Sequence, residues 1–416
     1  MIKNTVHAPA WTSLTPASAQ YRWLDEDITC EVAVVGGGIS AAMTAMRFAE
    51  AGLDTVLLSD TPLGYGGTAV SSGMMTLSGE ENLTCLADKI GPERAMTAAH
   101  LLFEALDNVE KLCASFQESC GFRRMDSLRY AVAEEGTAPL RREYSLRLHN
   151  GMDVELLDAN AASSQFTFPM SAGLYTKNAA AQIDPYRMVH GLASVALNKG
   201  ARIYENTGAE TLEPLGEETV RIECDTGHTV TAGYVIMATG LDVSRHCGGL
   251  DEVRTTYMAL TEPVDGFAGW RGPCVIHREG EPRLYLSVTA DNRILIGGFD
   301  SAYMDEKGRL AGLIDMTPAV EKRFDTLGKT LRDMFPAIHN ITLEYVFAAK
   351  DGTTKDRLPI IGRLPDSSRI AYAMCCGDNG ILYAEIAGRL LLQQYQGIDD
   401  QELGLFSPHR EWRVKR

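Results

Sequence analysis

Hydrophobic and polar positions change period twice within the first sixty residues. The run EVAVV, residues 31–35, is apolar at consecutive positions, as in a strand covered on both faces. GGGISA follows, and then an alanine-rich stretch to Gly52 in which Ala41, Ala42, Ala45 and Ala49 recur at helical spacing. That spacing gives the helix one face small enough to lie close against a sheet. Gly52 predicts the helix stop, TVLL a second strand, and Ser59-Asp60 its end.

Farther along, Met96, Ala99, Phe103, Leu106, Val109 and Cys113 keep a three-to-four period, which predicts a long helix with that face in the core. Asp184-Pro185, a cap followed by proline at the first helical position, opens another helix that runs to about Asn198-Lys199-Gly200. ARIYEN then reads as a strand. Between 219 and 238, TVRIEC, HTV and GYVIMA predict a β-meander ending at Ala238-Thr239-Gly240. RLYLSVTADNRILIGGF predicts a hairpin around Asp291-Asn292, and 318–335 and 380–395 predict helices. Strands and helices interleave without repeats or a linker, which favours two intertwined domains over two sequential ones.

Composition narrows the function. The chain has 416 residues, 45% hydrophobic and 23% charged, an ordinary globular balance and enough for two or three units. No apolar run approaches the ~18 residues of a membrane helix, and Met1 to Tyr21 lacks the apolar core of a signal peptide. A cytoplasmic protein without an integral membrane segment is expected. The formal charge is -16, and the one basic cluster is the short tail from Arg410 to Arg416, so no nucleic-acid partner is expected. Nine cysteines include no CxxC, and no histidine sits at finger spacing from a cysteine pair; reduced thiols and no metal site are expected.

The chemistry starts at VVGGGISA. Gly36 and Gly38 are the first two fingerprint glycines, and Ala41 takes the third place. With Ile39 and Ser40 they would open a helix whose free N–H groups and partial positive charge receive a pyrophosphate. The strand before the motif and the helix after it supply the context that a bare GxGxxG lacks. Ribose recognition has two readings. The strand-end position carries Ser59 and the acid is Asp60, one residue later; either Asp60 reaches round or the Ser59 hydroxyl makes the contact. Only one such fingerprint occurs, which argues against separate FAD and nicotinamide domains.

Four blocks in order carry a resemblance: the fingerprint through TVLL; GYGGTAVSSGMM; DPYRMVHGLASVALNKGARIYENTGA with VIMATG; and TTKDRLPIIGRLPD with GDNGILYAEIAGRLL. Together they resemble the D-amino-acid oxidase superfamily of FAD-dependent amine and amino-acid oxidoreductases, especially its glycine oxidase and γ-glutamylputrescine oxidoreductase branches. The resemblance implies an α/β fold (α+β overall) in which a mixed or antiparallel substrate sheet is inserted into a Rossmann-like FAD domain. It implies an FAD domain at 1–110, 165–250 and 345–416 and a substrate domain at 111–164 and 251–344. It places Gly67, Thr68, Ser72, Gly73 and Met74 on the FAD phosphates and flavin, Ala209 at the adenine, and Thr239 and Gly240 at a phosphate-side turn. Gly362, Asn379, Gly380 and Ile381 would face the flavin ring. Val70 stands where tethered members carry histidine, so the implied FAD is non-covalent.

The substrate positions depart from that pattern. Where the glycine oxidase branch holds a carboxylate with two arginines, the matching residues are Asp351 and Asp378. Aspartate repels a carboxylate and attracts an ammonium, which points to a cationic or neutral amine. Both also suit ordinary turns, and Lys350 could neutralise Asp351. Tyr257, Tyr285 and Phe299 are candidate aromatic walls or core residues, and Lys350 or Lys355 is a candidate for oxygen reactivity. The expected activity is oxidation of a C–N bond by hydride transfer to flavin, with oxygen, a quinone or a partner protein as acceptor. Two alternatives remain: a dehydrogenase of a hydroxy acid or polyol phosphate, and a degenerate non-catalytic flavoprotein subunit, the latter motivated by Ala41, Ser59 and the loop, which carries Val70-Ser71 where the resembled family commonly has an Arg-Asn pair.

Overall fold

The apolar run at 31–35 lies in the strand Ile28–Val35, flanked by parallel partners Thr229–Met237 on one side and Thr55–Leu58 on the other. The computed structural model describes residues 5–15, 19–77, 81–302, 311–312, 316–364, 368–375, 377–398 and 400–410; Cys376 and the basic tail beyond Arg410 lie outside them. From one edge, the first sheet runs Ile360–Arg363, Ile370–Met374, Thr229–Met237, Ile28–Val35, Thr55–Leu58 and Arg202–Tyr204. Ile360–Arg363 is the antiparallel member, and the hairpin Ala209–Leu215/Thr219–Cys224 branches from the first half of Thr229–Met237. Helices Ile39–Glu50, Pro92–Ala114, Pro185–Asn198 and Gly380–Tyr395 bury their apolar residues in one core on this sheet, and the hairpin contributes to another. Double coverage is what the unbroken apolar strands require.

A second sheet runs Ala311–Gly312, Leu343–Thr354, Leu250–Thr261, Ile294–Ala302, Leu284–Val288, Cys274–Arg278, Arg123–Ala131, Ala172–Gln182 and Met74–Thr76, with Val154–Asp158 also on Ala172–Gln182. Cys274–Arg278 and Arg123–Ala131 are parallel, and the other pairs are antiparallel. Met74–Thr76 and Ala172–Gln182 fall within ranges expected for the first domain, yet they pair into this sheet.

Alternation gives the second sheet two faces. Tyr257, Ile276, Leu286 and Ile296 join an outer core under the helix Pro318–Met334. That helix is capped by the Thr317 hydroxyl, which accepts from Val320 N at 3.3 Å, and it buries Phe324, Leu327 and Leu331, each worth about 2 kcal/mol. Met258, Val275, Tyr285 and Leu295 join an inner core with Val70 and Met74 of the glycine-rich loop. The inner face is therefore the one turned to the first domain.

The long helix Pro92–Ala114 forms as predicted, and Ala99, Leu106, Val109 and Cys113 of the predicted face are buried. The buried arc extends from them to one side, through Ala95, Ala98, Leu102 and Ala105, while Phe103 on the other side is 40% exposed. Packing against both Leu83–Ile90 and Gly380–Tyr395 centres the buried arc on Leu102 and Ala105, and Phe103 lies roughly 100° round from Leu102. Among the described residues no helix is long and apolar enough to cross a membrane.

Candidate functional site

The glycine turn is built for close backbone approach. Gly36 has φ +136°, and a Cβ there would lie 2.4 Å from the Ala238 carbonyl oxygen at the end of the neighbouring strand. A Cβ on Gly37 would fall 2.0 Å from Ser59 Oγ. Gly38 is the helix cap without a side chain of its own to donate to, and Ile39 N instead donates to Thr68 Oγ1 at 3.1 Å. The next first-turn amides, on Ser40 and Ala41, have no acceptor within the helix. Thr68 is buried while Gly67 is exposed, so the loop folds its hydroxyl under the turn and leaves its glycine open.

Ser59 is fully buried, faces the glycine turn and donates from Oγ to Thr61 O at 2.5 Å. Asp60 is exposed, its Oδ1 accepting from Thr61 Oγ1 at 3.4 Å. Of the two ribose candidates, Ser59 is thus the one turned toward the motif. Ala209 begins its strand just after Gly208, whose amide binds Asp225 Oδ1 at 2.8 Å. Thr239 and Gly240 follow Ala238 off the strand end, with Gly240 at φ +65°.

The loop Ser71 to Thr76 meets the last helix and the second sheet in one seam. Gly73 N donates to Ser71 Oγ at 3.1 Å, Met74 N to Ser72 Oγ at 3.3 Å, and Gln182 Nε2 to Ser72 O at 2.9 Å. Asn379, just before Gly380–Tyr395, is 2% exposed and accepts from Thr76 N at 3.0 Å through Oδ1. Its Nδ2 has no partner, and neither does Gln182 Oε1, both buried. Each such orphan costs about 1–3 kcal/mol unless something fills the seam. A flavin ring, with carbonyl and N–H groups along one edge, has the complementary donors and acceptors, so these residues fit FAD. Ile381 packs into the first core behind them. Gly362 does not share the seam: a Cβ there would meet Pro408 at 3.4 Å on the far edge of the sheet.

On the inner face of the second sheet, five charged side chains 10–14% exposed form one network. Arg254 donates from Nη2 to Asp351 Oδ2 at 2.9 Å and pairs through Nε with Asp300 Oδ2 at 3.2 Å. Arg283 donates from Nη1 to both Asp300 Oδ2 and Asp351 Oδ2 at 3.0 Å, and from Nη2 to Asp378 Oδ1. Two guanidiniums therefore meet three carboxylates, and Arg283 ties the sheet to the turn that starts the last helix. Beside it, Tyr285 is buried under the Arg283 guanidinium, 4.9 Å from its ring centre, and its hydroxyl lies 3.0 Å from Thr256 Oγ1. Burial pushes the Tyr285 phenol well above its usual range. The His277 ring lies 6.2 Å from that of Tyr285; burial, then the Arg129 and Arg283 charges, hold the imidazole neutral by lowering its pKa well below 6.5.

The structure thus brings Asp351, Asp378 and Tyr285 together. Tyr257 stands on the opposite face, its hydroxyl 3.0 Å from Ser301 Oγ and its ring packed on Phe324 and Arg323. Phe299 also belongs to that side, where its carbonyl accepts from Arg323. Asp351 takes its cations from Arg254 and Arg283 rather than Lys350, and Lys355 is exposed. Arg254, Arg283, Asp300 and His277 were not legible as site residues from motifs. Counting by twos along the strands finds three of them: Met258 and Thr256 lead to Arg254, Tyr285 to Arg283 and Val275 to His277, while Asp300 follows Phe299, whose φ of +52° breaks the alternation.

Three comparisons bear on this arrangement. The family model for FAD-dependent oxidoreductases, DAO, matches residues 31–394. The chain is similar to γ-glutamylputrescine oxidoreductase of Escherichia coli (strain K12), 26% identical over 406 residues, covering 94% of this chain and 89% of that protein. It is also similar to glycine oxidase of Bacillus subtilis (strain 168), 25% identical over 368 residues, 87% of this chain and 91% of that one. In structure it resembles glycine oxidase from Geobacillus kaustophilus with a TM-score of 0.77 at 18% identity, over 92% of this chain and 99% of that chain.

Proposed function

The chain belongs to the DAO family of FAD-dependent oxidoreductases, and from that premise we propose that it oxidises the carbon–nitrogen bond of a small amine or amino-acid-derived substrate. FAD, when bound, supplies the hydride acceptor. The chain's own residues position and desolvate. Gly36, Gly38 and the Ile39–Glu50 N-terminus would hold the pyrophosphate, and Ser72, Gly73, Asn379 and Gly380 would hold the ring in the seam. Val70 is buried and apolar and offers no nucleophile for a tether, which supports non-covalent binding. Tyr285 and Thr256 form the polar floor on which the reacting carbon is oriented. There the C–H bond next to a neutral amine nitrogen breaks and its electron pair leaves with the hydrogen. The nitrogen lone pair closes a C=N bond, which water hydrolyses.

The observation that carries this reading is the net charge of the inner-face network. Among the described residues, three aspartates against two arginines leave one formal negative charge, and each guanidinium is shared between carboxylates. An amine fits that field; the anion of a hydroxy acid or polyol phosphate would enter against it. The names of the two relatives, an oxidoreductase of γ-glutamylputrescine and a glycine oxidase, support the same substrate class. Purified protein mixed anaerobically with amines, amino acids and hydroxy acids tests it. Bleaching of the flavin bands by amines is expected; bleaching by hydroxy acids alone would reverse the assignment, and a colourless protein that takes up no FAD would favour a degenerate subunit. Admitting air, a quinone or cell extract to the bleached protein then identifies the acceptor.

A further inference from the structure

We propose that Asp300, Asp351 and Asp378 form a subsite for a second, non-reacting cation on the substrate, so that α,ω-diamines, or amines bearing a distant ammonium or guanidinium, are preferred. The proposal rests on the amine reading above and goes one step past it, from the sign of the site to the position of the charge.

Hydride can leave only from a carbon whose nitrogen carries a free lone pair. An alkylammonium with a pKa of roughly 10.4 is neutral in about one molecule per thousand at pH 7. A carboxylate close to that nitrogen raises its pKa, and every unit removes another tenfold of the reactive form. Three carboxylates next to the reacting amine would oppose the chemistry. They suit a charge that must stay protonated, at the other end of the molecule.

The network is also incomplete as a closed structural clamp. Asp300 is nine-tenths buried; its Oδ2 takes Arg254 and Arg283, while its Oδ1 is buried with no hydrogen-bond partner. An acceptor without a donor, inside a cluster whose described members sum to a negative charge, is a place for one more cation. The cluster spans the inner face of the second sheet and the turn before Gly380–Tyr395, the same seam that Tyr285 and Asn379 line. A substrate lying along that seam presents one end to Tyr285 and the other to the aspartates.

The test uses the FAD-loaded full chain and anaerobic flavin bleaching, with propane-1,3-diamine to hexane-1,6-diamine, the 1-aminoalkanes of equal length, and 4-aminobutanoate. At one chain length the diamine should half-saturate at a concentration about tenfold or more below its monoamine, the effect of one charge-assisted contact. Asp300→Asn should bring that ratio toward one, and Arg283→Gln, which removes a competing cation, should widen it. Asp378→Asn repeats the first test if Asp300→Asn loses its flavin. Equal half-saturation of diamine and monoamine in the parent protein would overturn the proposal while leaving amine oxidation intact. So would an Asp300→Asn or Asp378→Asn variant that weakens both ligands equally, as a pure clamp between the sheet and the helix would, or a preference for 4-aminobutanoate. Bleaching by hydroxy acids alone removes the amine reading and the subsite together.

Discussion

Replacing Arg410 with methionine isolates what the C-terminal segment contributes to the site. Arg410 and Asp356 are each 6% exposed, and they form a bidentate pair, Nε to Oδ2 at 2.7 Å and Nη2 to Oδ1 at 2.9 Å. The same guanidinium donates to the carbonyls of Pro359 and Phe406 at 2.8 Å and of Leu358 at 2.9 Å. Asp356 Oδ1 also accepts from Leu358 N at 3.1 Å and Thr354 Oγ1 at 3.2 Å, so the pair pins the turn after the strand that carries Asp351. Methionine keeps much of the volume and removes every donor. Leaving one buried charge uncompensated costs about 3–5 kcal/mol, and the loss should fall first on this turn and the flavin seam. Urea titration followed by flavin release and by far-ultraviolet circular dichroism reads it: release should precede loss of helix in the variant and coincide with it in the parent. Asp356→Asn combined with Arg410→Met removes the stranded charge, so the double variant should be more resistant than Arg410→Met alone. An Arg410→Met protein that releases flavin at the parental midpoint, or a double variant showing the simple sum of the single losses, refutes the reasoning.

Other outcomes follow from the same geometry. Gly36→Ala puts a Cβ 2.4 Å from the Ala238 carbonyl at a φ of +136°, and should give protein without flavin; wild-type flavin content after purification would contradict it. Tyr285→Phe should slow anaerobic bleaching several-fold, whereas Tyr257→Phe should lose about 1 kcal/mol of stability through its Ser301 bond and leave the bleaching rate alone; equal rate effects would mean that the two faces of the sheet are misassigned. His277 and His190 are both held neutral mainly by burial, with pKa values below the usual 6.5. The unfolded chain therefore binds more protons below about pH 6.5, so stability is full above that pH and falls as pH drops, with a slope of up to two protons. Melting temperature measured from pH 7.5 to 5 should show that decline, and His277→Gln should flatten it; an unchanged slope would mean that His277 is already charged in the fold.

The first domain was readable because its signals are local. Asp184 caps its helix through Oδ1, accepting from both Tyr186 N and Arg187 N at 3.0 Å, and Gly52 ends the preceding one at φ +82°. Neither depends on anything distant. Phe103 shows where locality ends: the three-to-four period establishes a helix, but which arc is buried depends on two partner helices remote in sequence. Tyr257 and Tyr285 show the same limit in a strand. Both sit in apolar, aromatic-bearing runs, and only pairing across the sheet decides that Tyr285 faces the first domain while Tyr257 lies under the outer helix. Arg410 shows the limit for a charged residue, since the first arginine of the basic tail is 6% exposed and nothing local in the sequence marks it as buried.

The aspartates illustrate how a correct alignment can still misstate the electrostatics. Reading Asp351 and Asp378 where the resembled branch carries arginine suggests that two positive charges have become two negative ones. The structure returns two arginines to the same place from other strands, Arg254 opposite Asp351 in the ladder and Arg283 one strand beyond Ile294–Ala302, and adds Asp300. Among the described residues the net is one negative charge rather than two, with the cations fixed on the sheet and one of the anions, Asp378, on the turn before the last helix. Because opposite charges 3 Å apart largely cancel at a distance, a ligand several ångströms away senses mainly that single surplus charge. A ligand atom inside the cluster senses individual oxygens instead. Substitutions should separate these regimes: Asp351→Asn and Asp300→Asn change the distant field equally, but of these two it is Asp300 that has a buried oxygen without a partner. If Asp351→Asn and Asp300→Asn alter amine half-saturation by the same factor, the long-range field alone selects the substrate; a larger effect at Asp300 places the substrate's charge in direct contact with it.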